Sequence, residues 1–424
     1  MRTDAASAPE FYSAAPRSLA IRRSTLAGLF VAVATALSTI VFSEPAIADA
    51  LMAAVIGLLP VLGVLKFGKA AFFNFAAWLA IFALGFAATM LSTTFSTAVI
   101  HQLVTLFLAA GAFIIAGYVA EDPEPRAKLV LSCYVIACLI ATAAALAGYF
   151  RLVPSAYELF TNYDRARGTF KDPNVYSAAV APAIVTVVWV MLRGRPLHAL
   201  IAAAVALPLV IGLLVSFSRG AWISTFLSVA ILAGFVLFRS RRATDFNRFG
   251  KVSIIGIAGL MCALAMATQL DQVRDLLSQR ANLDQSYDEG PNGRFGGQQK
   301  ARALIVEHPF GIGTHTFRDT YHHEEPHNVY LTMFLNAGWL GGMLYVVTVI
   351  ATLYVGFRTA LQRTRIQGPA VIAFASFAGL AFEGFVIDSD HWRHFFLMAG
   401  LIWGLADAAP LKSDARRRAG DVNI

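Results

Sequence analysis

Charged residues are scarce in this sequence. Only 14% of the 424 residues are Asp, Glu, Lys or Arg, whereas 57% are hydrophobic, and the mean hydropathy is +0.62. A soluble domain typically carries about 25% charged residues and lacks recurring apolar runs of about twenty residues. The shortage of charge therefore excludes an ordinary soluble protein and indicates a polytopic membrane protein of the all-α class.

Cysteine is also scarce. The three cysteines, Cys133, Cys138 and Cys262, all lie inside apolar segments and lack the spacing of metal ligands, so they are predicted to be small buried side chains. The net charge of +8 comes from basic residues scattered between apolar segments. Membrane topology explains this scatter better than nucleic-acid binding does, so no nucleic-acid partner is expected.

Apolar windows long enough to cross a hydrocarbon core of about 30 Å recur along the whole chain. They predict about twelve transmembrane helices, near residues 26–43, 47–65, 70–91, 96–118, 129–149, 175–192, 197–216, 220–238, 252–270, 327–357, 369–387 and 394–409. The stretch "PAIADA" resembles a signal-peptide cleavage site, but the region before it is unusually long. The first window is therefore interpreted as a transmembrane helix.

An even number of spans places both termini on one side of the membrane. If that side is the cytoplasm, most of the 34 Lys and Arg residues fall in cytoplasmic segments, in agreement with the positive-inside rule. The chain is predicted to begin with a cytoplasmic tail (1–25) and to end with another (410–424). Between them lie helices 1–5 (26–149), a periplasmic loop (150–174), helices 6–9 (175–270), a large periplasmic loop that carries the catalytic residues (271–326) and helices 10–12 (327–409). The predicted location is the bacterial inner membrane.

The large loop is predicted to hold two short amphipathic helices on the membrane surface, joined by a Gly- and Pro-rich turn. The apolar residues Val273, Leu276 and Leu277 recur at helical spacing, as do Ala301 and Leu304 later in the loop. The loop therefore has structure of its own.

Arginines on the outer side depart from the positive-inside rule. They include Arg165, Arg167, Arg219, Arg294, Arg302 and Arg318. Guanidinium groups suit the oxygens of phosphate, so the set indicates an anionic ligand. The alternative is that these side chains reach toward lipid headgroups; for Arg219, in the tight "SFSRGAW" connection, a functional role is favoured.

The stretch from His323 to His327 spells H-E-x-x-H, the pattern of zinc proteases. Such a site needs both histidines on one continuous helix, and Pro326 is disfavoured inside a helix. Proline is favoured in a first turn, so the tenth helix is expected to start at Pro326 with His327 in its first turn. The helix dipole there favours a neutral imidazole, which suits a general base. The alternative is a capping or interfacial histidine.

Four motifs occur in the same order as in a known family. They are "RARGTFKDPN" at 165–174, "SRGAW" at 218–222, "GRF…ARALIVEHPFGIGTHTF" at 293–317, and His327-Asn328 followed after nine residues by Gly338-Trp339-Leu340-Gly341. The sequence resembles the O-antigen ligase and O-antigen polymerase family of bacterial membrane glycosyltransferases over about residues 160–345. The first five helices are compatible with it.

The resemblance implies a fold like the multi-helix, lipid-dependent glycosyltransferases of the GT-C type. It implies a donor glycan linked to undecaprenyl diphosphate, and an acceptor that is lipid A-core for a ligase or another glycan for a polymerase. Catalysis would fall to Arg219, Arg294 and His327. Arg167, Arg302, Arg318 and Asn328 would bind substrate. The resemblance further implies a reaction with no metal, cofactor or nucleotide sugar, and inversion at the anomeric carbon is expected. A ligase is favoured over a polymerase.

A transporter or flippase is the alternative from another class, because twelve helices also suit that description. Transporters commonly show internal repeats, and no repeat between the halves is found. Glu383 is the one acidic residue well inside a predicted span and is a candidate functional residue. It is also a candidate for a hydrogen bond to a neighbouring helix.

Overall fold

The structure, a computed structural model, describes residues 17–240, 243–267, 274, 290–291 and 293–409. Within these residues the protein is a bundle of α-helices with one small antiparallel sheet. The predicted first helix of the large loop, apart from Arg274, lies outside the described residues, as do residues 1–16 and the C-terminal tail. Cys133 and Cys138 are buried, as predicted; the side chain of Cys262 is outside the described set.

The helices follow one another along the chain with short connections. The first seven are α1 Arg17–Ala36, α2 Ile47–Leu62, α3 Lys69–Ala88, α4 Phe95–Glu121, α5 Pro123–Tyr149, α6 Ala156–Phe160 and α7 Pro173–Arg193. The next seven are α8 Pro196–Val215, α9 Arg219–Arg239, α10 Ala243–Ala267, α11 Arg294–Glu307, α12 Val329–Ala360, α13 Gln367–Glu383 and α14 Arg393–Ala408. Strands β1 Thr161–Asn162 and β2 Arg165–Ala166 form the sheet, and a π-helical turn spans Phe317–Tyr321.

Seven of the described helices are long and apolar enough to cross a membrane: α3, α4, α5, α7, α8, α9 and α12. Helix α2 is apolar but has only 16 residues. The all-α polytopic class is therefore confirmed, whereas the full number of twelve spans stays a prediction. Prolines begin three of the helices, at Pro123, Pro173 and Pro196, where the missing N–H removes no intrahelical hydrogen bond.

The connections predicted to be cytoplasmic lie together at one end of the bundle. The N–H of Lys66 donates to the carbonyl of Gly117, and the guanidinium of Arg126 donates to the carbonyls of Val64 and Tyr118. The Asp407 carboxylate, near the end of α14, accepts three hydrogen bonds from the first turn of α3. The opposite end, called here the loop-bearing end, carries the start of α7, α9, α12 and α14 and residues 384–392.

Helix α12 is broken at Gly338, which has φ +69° and ψ −174°. Residues 308–313 pack against the break: the N–H groups of Ile312 and Gly313 donate to the carbonyl of Leu335, and that of Trp339 donates to Pro309. Backbone groups inside a membrane need partners from the protein, and these three bonds supply them. A Cβ on Gly338 would lie 2.7 Å from the carbonyl carbon of Phe310, so a glycine at this position has a steric reason.

Gly338→Ala is expected to lower the thermal midpoint of the detergent-solubilised protein. The left-handed φ alone costs about 1–3 kcal/mol for a residue with a side chain, and the new Cβ would clash with backbone atoms that have nowhere to move. The measurement is thermal unfolding followed by intrinsic fluorescence.

Gly234→Ala is the matched control, because Gly234 lies in α9 with no atom within 4 Å of an added Cβ. Its midpoint is expected to stay unchanged or to rise slightly, since alanine is the better helix former. Equal midpoints for the two variants would contradict the steric role of Gly338.

Candidate active site

His327 lies just before α12 and not in its first turn. The helix starts at Val329, and Asn328 is its N-cap, accepting hydrogen bonds from the N–H groups of Tyr330 and Leu331 at 3.1 and 3.3 Å. His327 has φ +50°. The prediction of a helix start at Pro326 is therefore wrong, because the Asn328 side chain caps the N-terminus of the helix and sets its first residue at Val329. His323 and His327 share no helical face, which an H-E-x-x-H zinc site requires.

The backbone of His327 is held by residues 384–392. The Asp388 carboxylate accepts a hydrogen bond from the His327 N–H at 3.0 Å and another from the Thr332 hydroxyl, and the N–H of Val329 donates to the carbonyl of Gly384 at 2.9 Å. Burial raises the pKa of the Asp388 carboxyl to about 6. Burial therefore disfavours the ionised carboxylate more than the hydrogen bond from Thr332 favours it.

The imidazole of His327 is oriented by Glu324. Its Nε2 lies 2.9 Å from a Glu324 carboxylate oxygen, and this hydrogen bond lowers the pKa of Glu324. An ionised carboxylate only accepts hydrogen bonds, so Nε2 carries the proton and Nδ1 of a neutral imidazole keeps its lone pair. The side chain of His327 is 29% exposed and can therefore be reached by a substrate.

Arg219 is the first residue of α9. The turn before it contains Phe217 at φ +50°, and the buried guanidinium of Arg165 fastens this turn by donating to the carbonyl of Ser216 at 2.7 Å and to Asn174 at 2.6 Å. Gly220 abuts residues 384–392, because an added Cβ would lie 3.3 Å from Val386. Arg219 is thus set beside the same residues 384–392 that hold His327.

Arg294 is the first residue of α11. One turn later, the buried Gln298 amide donates to the carbonyl of His327 at 3.4 Å, and Gly297 leaves room for the ring of His322. Residues four apart lie on one face of a helix. Arg294 therefore belongs to the face of α11 that meets the loop of His327.

The three predicted catalytic residues thus lie at, or just before, the starts of three different helices, α9, α11 and α12. The N-caps of α9 and α11, Ser218 and Gly293, make no side-chain cap hydrogen bond. A helix start carries a partial positive charge and outward N–H groups, which suit phosphate oxygens. The loop-bearing end therefore combines arginines and helix starts that favour an anion.

The residues predicted to bind substrate differ in their placement. Arg167 donates to the carbonyls of Lys171 and Leu159 and holds the loop of residues 150–174. Arg302 is exposed on α11, and Arg318 is exposed and pairs with Asp319 at 3.2 Å. Asn328 lies beside His327 and its side-chain oxygen caps α12. Contact with a substrate stays a prediction for all four.

Several polar residues at this end were not predicted from the sequence to belong to the site. Besides Glu324 and Asp388, they include a cluster in which His101 Nε2 lies 3.0 Å from Asp390 and His391 Nε2 lies 2.9 Å from the Thr105 hydroxyl. Burial lowers the pKa of His391 to about 3, so its imidazole is neutral. The dense polar stretch "DSDHWRH" at 388–394, directly after an apolar segment, is the sequence feature that could have indicated these residues.

Glu383 has a clear partner. Its carboxylate accepts a hydrogen bond from the Ser224 hydroxyl in α9 at 2.6 Å, and it is the last residue of α13. It therefore lies at the loop-bearing end and not at mid-bilayer. Of the two roles considered for it, the hydrogen bond to a neighbouring helix is the one that the structure shows.

Comparison with known protein families finds a match over part of the chain. Residues 203–346 match the family model Wzy_C, described as O-Antigen ligase, and this stretch contains Arg219, Arg294 and His327. The match supports the assignment of the chain to the O-antigen ligase and polymerase family. The family acts on lipid-linked glycan donors and glycan acceptors in general. No curated protein matches the chain.

Arg165→Ala is expected to lower the thermal midpoint substantially, although Arg165 is not a predicted catalytic residue. Losing the charged donors leaves the buried carbonyl of Ser216 without its guanidinium partner, at a cost of about 1.5–3 kcal/mol. Differential scanning fluorimetry of the detergent-solubilised protein measures the change.

Arg302→Ala is the matched control, since an exposed arginine contributes within about 0.5 kcal/mol. A midpoint for Arg165→Ala that equals that of Arg302→Ala would refute the fastening role. Arg165→Lys is expected to fall between them, because an ammonium cannot reproduce the two-directional guanidinium contacts.

Proposed function

We propose, because residues 203–346 match the O-antigen ligase family, that the protein transfers a glycan from an undecaprenyl-diphosphate donor to an acceptor hydroxyl. The proposed member of the family is a ligase, with lipid A-core as the acceptor. The reaction takes place at the periplasmic face of the bacterial inner membrane. Membrane lipids surround the enzyme, and nucleic acid plays no part.

The observation that supports this proposal is that His327 and the residue next to Arg219 contact residues 384–392, while the helix that begins at Arg294 reaches the carbonyl of His327 through Gln298. Two arginines and two helix starts without side-chain caps offer charge and N–H donors to a diphosphate. An accessible histidine with an oriented imidazole offers a proton acceptor to a hydroxyl. The chemistry of the family needs both groups at one end of the bundle.

The proposed transfer is a single displacement. The acceptor oxygen attacks the anomeric carbon, a new glycosidic C–O bond forms, and the bond from that carbon to the diphosphate oxygen breaks with inversion. The departing diphosphate takes the electron pair, and Arg219 and Arg294 stabilise its growing charge. Positive charge from the arginines makes the step independent of a metal.

The acceptor proton passes to Nδ1 of His327 in this mechanism. The Nε2–H remains hydrogen-bonded to Glu324, whose carboxylate stabilises the imidazolium that forms. Positioning of the hydroxyl near Nδ1 lowers the entropic part of the barrier. Asp388 acts on the same histidine from the backbone side, by holding its N–H.

The sidedness rests on the distribution of charge. The bundle end with Lys66 and Arg126 is the predicted cytoplasmic end by the positive-inside rule. The loop-bearing end then faces the periplasm, where lipid-linked glycans are the available donors. Both termini lie in the cytoplasm in this topology.

His327→Ala, Arg219→Ala and Arg294→Ala are each expected to abolish transfer in a null strain complemented to equal membrane expression. Removing the base alone costs about 10²–10⁴ in rate, and removing one charge stabiliser costs about 10²–10³. Surface polysaccharide is resolved by gel, and the lipid-linked pool is extracted in parallel. Full-length polymer that stays on undecaprenyl diphosphate, with bare lipid A-core, identifies a ligase.

His198→Ala and Arg195→Ala are the controls, since both residues lie at the opposite end of the bundle, around the start of α8. They are expected to behave as wild type. Accumulation of single lipid-linked repeats would identify a polymerase instead. Normal glycans from all three site variants would refute the site.

Glu324→Ala is expected to lower the turnover rate by about 10–100-fold, the loss that follows removal of the carboxylate that orients a metal-ligating histidine, with little change in donor KM. Glu324→Gln retains a hydrogen-bond acceptor and is expected to fall between wild type and Glu324→Ala. Glu307→Ala, at the exposed end of α11, is the control. A turnover rate for Glu324→Ala equal to that of the control would contradict the orienting role.

A further inference from the structure

A second group of titratable side chains lies beside the proposed site, where α4 meets residues 384–392. His101 projects from the second turn of α4, and Asp390 and His391 belong to the connection that precedes α14. The side chains of His101 and Asp390 are only 15% and 13% exposed. The mechanism proposed above uses none of these three residues.

The three side chains converge on one point. One ligand atom from each of His101, Asp390 and His391 lies within 4.8 Å of the other two, and His101 Nε2 lies 3.0 Å from the Asp390 carboxylate. Ligands of a tetrahedral zinc ion at about 2.0–2.1 Å are roughly 3.3 Å apart. Small side-chain rotations within the observed arrangement therefore bring all three atoms to coordination distance.

The surroundings favour a cation over three independent polar groups. The rings of His101 and His391 lie 3.9 Å apart between centroids, close enough for two imidazoles to share one ion. A third imidazole, His315, lies 5.1 Å from the His101 ring and is itself held by Glu325 at 3.1 Å. Carboxylate partners of this kind orient histidines around metal ions.

We propose that His101, Asp390 and His391 bind one divalent first-row transition-metal cation, with zinc as the reference ion. Two imidazole nitrogens and one carboxylate oxygen form a donor set that suits zinc and its neighbours, whereas Mg²⁺ and Ca²⁺ prefer oxygen ligands throughout. Water or the His315 ring completes the coordination.

The cation fastens α4 to residues 384–392. Asp388, in the same connection, holds the N–H of His327, so the ion anchors the segment that sets the position of His327. Its role is to hold structure, and no step of glycan transfer passes through it. The proposal is therefore independent of whether the substrate is a lipid-linked glycan.

Metal content of the full-length protein tests the proposal. The protein is purified in detergent through a tag without histidines, saturated with Zn²⁺, dialysed against metal-free buffer and examined by elemental analysis. Wild type is expected to keep about one Zn²⁺ per chain, and substitution with Co²⁺ is expected to give the visible absorption of a nitrogen- and oxygen-ligated ion.

His101→Ala, Asp390→Asn and His391→Ala are expected to weaken Zn²⁺ binding by more than about 100-fold, beyond the loss that follows removal of an outer partner. His198→Ala and His308→Ala are controls that alter histidines outside the cluster and are expected to keep the ion. A chelator is expected to lower the thermal midpoint of wild type and controls, and to leave that of the cluster variants unchanged.

Wild type that retains no Zn²⁺ after saturation and dialysis would overturn the proposal, whatever the state of the variants. Full retention by the three cluster variants would overturn the assignment to these residues. Competition with a chromophoric chelator on wild type alone decides the matter if a variant is not recovered folded: a single site that outcompetes the chelator supports the proposal, and the lack of one refutes it.

Discussion

The start of α12 is held to residues 384–392 by hydrogen bonds from the N–H groups of His327 and Val329 to Asp388 and Gly384. The arrangement of the loop-bearing end depends on this contact. Gly220, next to Arg219, packs against the same residues through Val386, and Gln298 of α11 reaches the carbonyl of His327. The starts of α9 and α12 therefore contact one short connection between two helices, and α11 is linked to it through His327.

Many motif residues act on the backbone. Gly338 breaks α12, and Gly311 allows a left-handed turn that approaches the carbonyl of Leu335. Arg165 fastens the turn before α9, and Asp172 caps α7. The motifs of the chain thus divide into side chains that can meet a substrate and residues that let two segments approach closely.

The sequence was sufficient for the parts of the structure that local patterns determine. Apolar runs predicted most of the helices, and α11 lies where spaced apolar residues indicated it. The preference of asparagine for N-caps could also have predicted that α12 starts after Asn328. The roles of Asp388 and Glu383 could not be predicted, because their partners, His327 and Ser224, lie 61 and 159 residues away. No local pattern encodes such pairs.

The connection that holds His327 is made late in synthesis. Residues 384–392 are synthesised after α9, α11, α12 and α13. Until that moment the N–H groups of His327 and Val329 lack their native acceptors, and Ser224 lacks Glu383. Assembly of the proposed site therefore depends on a late segment, and a chain released before residue 384 would contain most of the helices but lack the acceptors for the N–H groups of His327 and Val329.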